Sequence, residues 1–394
     1  MAKLISADLT NNKLCILEYT TTDGQMLSFK DDAFDAKIVS HTYTDTGKVI
    51  FDKPITRIGE RAFYLCKSLT SMTIPNSVTT IGEGAFSDCD SLKEFKGKFA
   101  ADGGRCLIIN GVLNAFALGC GVTQYAIPNS VTTIGESAFS DCKSLTSVTI
   151  PDSVTTIGEK AFSDCKSLTS VTIPDSVTTI GKHAFSCCNS LTSVTIGDSV
   201  TTIEERAFER CSSLTSVTIG NSVTTIGKDA FYYCTSLTSV TIPNSVTTIG
   251  EGAFAWCPSL TSVTIGNSVK MIGVFTFLRC KSLTSITIPD SVTTIGHYAF
   301  AYCSSLTSVT IGDSVTTIGE RAFKNCSSLS SVTIGKSVSK IGESAFKDCN
   351  IDTIVCCPEL PPEINDSFDR FENLIVPTGC EEAYANSDWG QYLE

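Results

Sequence analysis

Cysteine is the residue whose abundance first suggests chemistry, because nineteen cysteines could form disulfides, bind metal or act as nucleophiles. Twelve of them, however, recur at one position of a repeated sequence. They are Cys66, Cys89, Cys142, Cys165, Cys188, Cys211, Cys234, Cys257, Cys280, Cys303, Cys326 and Cys349. Small secreted disulfide scaffolds have irregular cysteine spacing and few apolar residues. The regular column therefore predicts free thiols that are buried as small hydrophobic groups.

Metal binding and catalysis find little support in the remaining reactive residues. The doublets Cys187–Cys188 and Cys356–Cys357 lack the spacing of zinc ligands. Only three histidines are present: His183 and His297 are five repeats apart, and His41 precedes the repeats. No converging acid, base and nucleophile and no glycine-rich phosphate loop can be identified. We therefore predict a protein that is not an enzyme and that has no metal and no cofactor.

The residues best suited to binding lie around the position just before the repeated cysteine. Asp occupies this position in several repeats, for example Asp88 and Asp164, but four successive repeats have Tyr, Trp, Arg and Tyr. These residue types are enriched at binding hot spots. The predicted protein-binding residues, which we call the aromatic stripe, are Tyr232, Tyr233, Trp256, Phe275, Arg279, Tyr298 and Tyr302. The alternative is that these side chains only fill wider gaps beneath the next repeat.

These side chains must be positioned by a repeated unit of 23 residues. Its pattern is L-x-x-V-x-I-P-x-S-V-x-x-I-G-x-x-A-F-x-x-C-x-x. In one unit its apolar residues are Leu145, Val148, Ile150, Val154, Ile157, Ala161, Phe162 and Cys165. One coil cannot bury its own apolar edge, whereas stacked coils form a continuous core. The sequence thus predicts a mainly β repeat solenoid, with parallel sheets running along its length. Thirteen strand positions imply an array on the order of 60 Å long.

The two ends and one unit depart from this pattern. Residues 1–54 predict an N-terminal β cap of hairpins, 55–357 the repeats, and 358–394 a C-terminal cap. A capping box at Thr378 and Glu381 is expected to open a short helix in the C-terminal cap. A longer unit contains an insert at about 96–121, where Asn110-Gly111 predicts a hairpin. That hairpin is either a projecting binding feature or a structural elaboration, and we favour the second.

The repeat resembles the BspA-type, or Treponema pallidum-like, leucine-rich repeat of Bacteroides-like bacteria. The resemblance extends from about Ile55 to Cys356 and includes the insert "GRCLIINGVLNAFA". It implies a curved leucine-rich repeat array that is capped at both ends and is surface-exposed or secreted. It also implies an adhesin-like function, the recognition of host matrix or microbial surface proteins. The alternative is a passive spacer that has no ligand of its own.

Two repeated polar patterns suggest other surfaces. Exposed Ser and Thr rows such as Ser147 and Thr149 are similar to ice-binding arrays, but any exposed strand face favours such residues. Turns such as Asp152-Ser153-Val154 are similar to the motif at which Bacteroides-type bacteria attach O-glycans. The simpler interpretation is that Asp and Asn stabilise these turns through bonds from side chain to backbone.

Charge and hydropathy limit the partners and the location. The formal net charge of −12 argues against nucleic acid and anionic membranes, and residues 350–394 contribute −9 of it. No apolar run approaches the roughly 20 residues that span a bilayer. The N-terminus as given has no secretory signal, so a cytoplasmic location stays open beside the surface location that the resemblance implies.

Overall fold

Each 23-residue unit forms one coil of a solenoid, which a computed structural model describes over residues 16–393. The Leu-x-x-Val segments form what we call the first ladder, in which equivalent residues of successive coils pair in parallel, as Ser170 does with Ser193. Its fourteen strands are Leu69–Thr73, Glu94–Lys96, Gln124–Ala126, Ser147–Thr149, Ser170–Ile173, Ser193–Ile196, Ser216–Thr218, Ser239–Thr241, Ser262–Thr264, Ser285–Thr287, Ser308–Thr310, Ser331–Ile334, Ile351–Cys356 and Phe371–Ile375. The predicted mainly β solenoid of stacked coils is confirmed.

The segment that precedes the recurrent glycine position of the repeat forms a second ladder of two-residue strands. They are Arg57–Ile58, Thr80–Ile81, Thr133–Ile134, Thr156–Ile157, Thr179–Ile180, Thr202–Ile203, Thr225–Ile226, Thr248–Ile249, Met271–Ile272, Thr294–Ile295, Thr317–Ile318, Lys340–Ile341 and Glu363–Ile364. The strands have the same length where Glu204 or Asn365 follows Ile in place of Gly, so the short pairing does not depend on glycine.

The predicted parallel pairing recurs along the solenoid, but each ladder is divided into shorter sheets. Within the repeats, the first ladder breaks where the turn after the strand has Gly in one coil and Pro in the next. The two pairs are Gly220 with Pro243 and Gly266 with Pro289. Proline fixes φ and has no N–H to donate, so the turn that leaves the strand differs between neighbouring coils. The hydroxyls of Ser245 and Ser291, in these same two turns, are buried without a hydrogen-bond partner.

Phenylalanine rings form the centre of the core. Between Phe139 and Phe368, the rings of successive coils lie 4.9–5.6 Å apart with interplanar angles of at most 13°. The widest spacing, 5.6 Å, separates Phe254 from Phe277, where Thr276 replaces the usual Ala. The Ala-Phe pair of the repeat therefore builds a nearly parallel stack of rings along the solenoid.

The cysteine column lies beside this stack, and its thiols are free as predicted. Eleven of the twelve are buried, whereas Cys66 in the first coil is half-buried. Most of these thiols donate a hydrogen bond to a phenylalanine carbonyl of the preceding coil, as Cys165 Sγ does to Phe139 O at 3.1 Å. Burial raises the pKa of several of them strongly, to about 12 for Cys142 and Cys303. The column is thus a packing and hydrogen-bonding element.

The repeated polar residues also connect neighbouring coils. Thr169 Oγ1 donates to Thr146 O at 3.0 Å, and Thr hydroxyls repeat this bond along both ladders. The turn aspartates also connect neighbouring coils: Asp175 Oδ1 accepts a hydrogen bond from Asp198 N of the next coil at 2.7 Å. The predicted side-chain-to-backbone bond of Asp therefore forms between coils. In the Asp-Ser-Val turns, Ser153 donates to a carbonyl whereas Ser199 is exposed.

The insert does not project from the solenoid. Strands Cys106–Ile109 and Val112–Phe116 pair antiparallel around Asn110 and Gly111, which both have positive φ. Val112–Phe116 also pairs in parallel with Thr133–Ile134, and the Phe116 ring lies 4.9 Å from that of Phe139. The hairpin is therefore an atypical coil within the stack, because its second strand and its Ala-Phe take the places of the ordinary ones.

The two ends have their own elements. Strands Ile16–Thr21, Ile38–Tyr43 and Gly47–Phe51 form an antiparallel sheet that pairs with the first coil; the predicted cap residues 1–15 lie outside the described residues. Further short elements are Ala100–Ala101, the 3-10 helices Asp102–Gly104 and Leu118–Cys120, the α-helix Glu381–Ala385 and the 3-10 helix Asp388–Tyr392. The predicted capping box was wrong: the N-cap residue is Cys380, and Glu381 accepts a bond from Gly379 N instead.

Candidate functional site

The position before the repeated cysteine has a left-handed backbone in every ordinary coil. The φ values lie between 58° and 63° at Leu65, Asp88, Asp141, Asp164, Cys187, Arg210, Tyr233, Trp256, Arg279, Tyr302, Asn325 and Asp348. The backbone N–H at this position donates to the next coil, as Tyr233 N does to Ala255 O at 2.9 Å. Asp and Asn tolerate this conformation best, which explains the Asp of several coils. Tyr, Trp and Arg in four successive coils are an unusual choice here.

The predicted residues Phe275 and Tyr298 occupy a second left-handed position, four residues earlier in each coil. Their φ values are 58° and 55°, and the equivalent residues elsewhere include Lys160, Asp229 and Arg321. Two strained positions in each coil thus frame the buried Ala-Phe pair. Bulky residues occur at both positions in the coils that contain Phe275 and Tyr298.

Four residues of the aromatic stripe form a continuous row across successive coils, which we call the first row. The ring centres of Tyr233 and Trp256 lie 6.1 Å apart. The guanidinium carbon of Arg279 lies 4.3 Å from the ring centre of Trp256 and 4.7 Å from that of Tyr302. Arg279 is therefore sandwiched between two aromatic rings, and Tyr232 extends the row through a 6.1 Å contact with Tyr233.

Phe275 and Tyr298 form a separate second row. Their ring centres lie 5.4 Å apart, and the guanidinium carbon of Arg321 lies 5.5 Å from the ring centre of Tyr298. Arg321 also donates a hydrogen bond to the Tyr298 hydroxyl. Within residues 16–393, no ring contact joins this pair to the first row. The structure therefore divides the predicted stripe into two rows.

The exposure of the two rows bears on the gap-filling alternative. Tyr233 is 42 % exposed and Tyr302 is 36 % exposed, whereas Trp256, Arg279 and Tyr298 are half-buried. Along Trp256, Arg279 and Tyr302 the guanidinium group lies over both rings, which is consistent with the partial burial of Trp256 and Arg279. The first row thus combines two exposed tyrosines with a guanidinium group that lies between aromatic rings.

The charge around the first row differs from that of the whole chain. In its column, seven successive residues between Asp164 and Asp348 include no carboxylate: Cys187, Arg210, Tyr233, Trp256, Arg279, Tyr302 and Asn325. Arg210 continues the column of the first row and Arg321 contacts Tyr298 of the second row, but each is paired with a glutamate, and the sequence analysis missed both. The signal was available, since Arg210 precedes a column cysteine and Arg321 aligns with Phe275 and Tyr298.

Other parts of the surface offer less specific features. A groove of about 1040 Å³ lies over the first ladder and is lined by Ser262, Thr264, Ser285, Thr287 and Asp313, among others. Within residues 16–393, no three His, Cys, Asp or Glu side chains come together in a way that could hold a metal ion. The one α-helix of this range has five residues, and no described helix could cross a membrane.

Comparison with known proteins relates the chain to repeat proteins of bacteria. The family described as "BspA type Leucine rich repeat region" matches residues 15–99, 113–238 and 224–352, in six copies. A search of the curated proteins found no match.

Several solved structures are similar. A leucine-rich repeat protein from Bacteroides ovatus is 28 % identical, with a TM-score of 0.50, over 93 % of this chain and 100 % of that one. The leucine-rich repeat protein of T. pallidum is 28 % identical over 50 % of this chain and 82 % of that one, with a TM-score of 0.39. A leucine-rich cell surface protein from Faecalibacterium prausnitzii is 26 % identical over 93 % and 96 %, with a TM-score of 0.41.

Proposed function

The chain belongs to the BspA-type leucine-rich repeat family, and from this premise we propose that it is a non-catalytic, adhesin-like module that binds a protein through the aromatic stripe. Leucine-rich repeat proteins generally mediate protein interactions, which supports recognition as the general function. The partner that we propose is a host matrix protein or a microbial surface protein. A surface or secreted location is part of the same proposal.

One observation carries the proposal: aromatic residues and Arg occupy a left-handed backbone position in four successive coils. A left-handed conformation costs a bulky L-residue roughly 1 kcal/mol, and Asn or Asp would relieve much of that cost. Asp164 and Asn325 at the same position indicate that the fold accepts the less strained choice. Every ordinary coil has this left-handed position, so the support for binding is the occurrence of Tyr233, Trp256 and Tyr302 where Asp or Asn would cost less.

The exposure of the first row supports the same conclusion. A gap-filling residue would be buried by the next coil, yet Tyr233 and Tyr302 are each more than one-third exposed. Large aromatic side chains that are held rigid on a surface bury much area on binding and lose little entropy. The neighbouring rings and Arg279 hold these side chains in place before a partner arrives.

A triple variant tests the proposal without threatening the fold. Tyr233→Asn, Trp256→Asn and Tyr302→Asn together remove the rings and install a residue that the column already uses at Asn325. Immobilised wild type and variant would be compared for binding to a panel of purified extracellular-matrix proteins and bacterial surface proteins. We expect the wild type to bind a member of the panel and the variant to lose at least about tenfold in affinity. Unchanged binding by a folded variant would exclude the first row as the site.

The second candidate function is a passive spacer, and the regularity of the remaining coils favours it. Ring stacks and hydroxyl ladders repeat with little change from Phe139 to Phe368, as a device that only sets a distance would require. Failure of the wild type to bind any protein of the panel would favour this spacer over the adhesin-like module.

A further inference from the structure

Arg279 differs from the arginines at equivalent loop positions because no carboxylate neutralises it. Arg206, Arg210 and Arg321 each lie within 4.0 Å of a Glu or Asp oxygen. Arg279 has no such ion pair and no side-chain hydrogen bond within residues 16–393, although it is half-buried. None of its guanidinium nitrogens is both fully buried and without a hydrogen-bond partner, so each keeps some contact with solvent.

Two aromatic rings hold the guanidinium group of Arg279 in place. The guanidinium carbon lies over the ring of Trp256, 4.3 Å from its centre, and over the ring of Tyr302, 4.7 Å from its centre. The group is therefore held between two rings while its N–H groups make no hydrogen bond within residues 16–393. An arginine that is stacked in this way loses little side-chain entropy when it forms paired hydrogen bonds.

We propose that Arg279 is the receptor for a carboxylate, supplied by an Asp or Glu side chain of a protein partner. The inference rests on the proposed function and names the chemistry by which the first row recognises its partner. A carboxylate matches the planar fork of guanidinium through two parallel hydrogen bonds. The edges of Trp256 and Tyr302 then contact the apolar part of the same partner segment and exclude water from the ion pair.

The surroundings favour a single carboxylate over phosphate, sulfate or an acidic polysaccharide. Phosphate sites generally use several backbone N–H groups, but here Arg279 N and Tyr302 N are already bonded to the next coil. A polyanion requires a run of cations, yet the only other cation in this stretch of the column is Arg210, three coils away. At about 4.8 Å per coil, the two guanidinium groups are roughly 14 Å apart. The first row thus offers one guanidinium group between aromatic side chains, and the nearby cation Lys281, two residues after Arg279, is outside the column.

The guanidinium signal of Arg279 provides a direct test. The 15Nε–1Hε resonance of Arg279, assigned with the Arg279→Lys variant, would be followed during titration with an acetylated hexaglutamate peptide. Hexaglutamine of the same length is the neutral control. We expect a saturable shift with hexaglutamate only, and about tenfold weaker binding to Arg279→Lys, measured by Trp256 fluorescence, because lysine cannot form the paired bonds. The Arg210→Gln variant, which removes the paired and unstacked arginine, is expected to bind like the wild type.

Several results would overturn the inference. Equal shifts with hexaglutamine, or unchanged affinity of Arg279→Gln for hexaglutamate, would show that Arg279 does not bind a carboxylate. Stronger binding of inorganic sulfate or of polygalacturonate than of hexaglutamate would assign the anion to a different source. The protein panel separates this inference from the proposed function: if the triple Asn variant loses a protein ligand that Arg279→Gln retains, the aromatic stripe still binds and only the carboxylate receptor is rejected.

Discussion

The thiol of Cys257 donates a hydrogen bond to the backbone carbonyl of Phe231, 3.3 Å away and 26 residues earlier in the chain. The same spacing recurs from Cys165–Phe139 to Cys349–Phe323. Each such thiol fills space next to the phenylalanine stack and ties its coil to the preceding one. Ionisation of a column thiol would therefore place a charge inside the core.

The first prediction is steep destabilisation above about pH 9. Burial raises the pKa of Cys257 to about 12, from 9.0 in its ordinary state. Between these values the unfolded chain releases the proton and the folded chain retains it, so stability falls as pH rises, by about 1.4 kcal/mol per pH unit for each thiol. With ten buried column thiols whose pKa is raised by burial, the summed loss exceeds about 10 kcal/mol per unit. The urea concentration at the unfolding midpoint, measured by circular dichroism from pH 7.5 to 10.5, should fall steeply above about pH 9.

The Cys257→Ser variant is the matched control for this prediction. Its hydroxyl retains a donor to Phe231 O but does not ionise in this range, so the slope of stability against pH should fall by about 1.4 kcal/mol per unit. A urea midpoint that stays constant up to pH 10.5 in the wild type would contradict the assignment of these cysteines as buried, protonated thiols.

The second prediction compares two neighbouring aromatic residues. Phe231 is fully buried in the stack, whereas Tyr233 is 42 % exposed and has a φ of 60°. Phe231→Ala should cost about 3–5 kcal/mol because it leaves a cavity. Tyr233→Asn should change stability by less than about 1 kcal/mol, because relief of the left-handed strain offsets the lost ring contact. Urea unfolding measures both, and a larger loss for Tyr233→Asn would support the gap-filling alternative.

The sequence predicted the repeat and the buried cysteine column, because each of these depends on residue type at a fixed period. The residues of the aromatic stripe were identified by the same rule, and their role in binding stays a prediction. The left-handed backbone at Tyr233 could not be inferred from tyrosine itself. It was indicated only indirectly, by the Asp and Asn that other coils have at the same position. The arrangement of Arg279 between Trp256 and Tyr302 depends on side-chain rotamers, which periodicity does not specify.

The insert shows a different limit of sequence analysis. Asn110-Gly111 indicated the hairpin, but its place in the stack depends on which strand continues the second ladder. The signal was Ala115-Phe116, which repeats the Ala-Phe of ordinary units and places Phe116 beside Phe139. The breaks at Pro243 and Pro289 depend on the order of neighbouring units, which a consensus of the repeat conceals.

The third prediction concerns a pair of carboxylates near the insert. Partial burial and the nearby Glu83 raise the pKa of Glu136 to about 7, whereas Lys160 lies 3.2 Å from Glu83. Because the folded-state pKa is raised, the stability contribution of this group is present below about pH 4.5 and is lost as pH rises through 7. Glu136→Gln should therefore raise Tm at pH 8, on the order of 2 °C, and change it less at pH 5.

The exposed Glu343 occupies the same position of a distant coil and provides the control for Glu136. Glu343→Gln should shift Tm equally at the two pH values, measured by circular dichroism or scanning calorimetry. If Glu136→Gln were neutral at pH 8, or more stabilising at pH 5 than at pH 8, the proximity of Glu83 and Glu136 would have no energetic consequence.

The fourth prediction follows from the division of the core at the insert. The buried residues form two clusters: Leu107 and Ile109 of the hairpin belong to the N-terminal cluster, whereas Leu113 and Phe116 belong to the main one. The first ladder also breaks here, since Glu94–Lys96 and Gln124–Ala126 belong to different sheets. Repeat arrays are stabilised mainly by contacts between neighbouring units, so an interrupted interface should separate two cooperative regions.

Hydrogen exchange of two core variants tests this separation. Phe63→Ala, in the N-terminal cluster, should accelerate amide exchange about 100-fold or more in strands Gly47–Phe51 and Leu69–Thr73, because a loss of about 3 kcal/mol corresponds to that factor. Exchange in the strands of 147–354 should change little. Phe231→Ala should produce the reverse pattern, because its stack ends at the insert. Equal acceleration on both sides in either variant would show that the hairpin transmits stability, and the two clusters would then unfold as one unit.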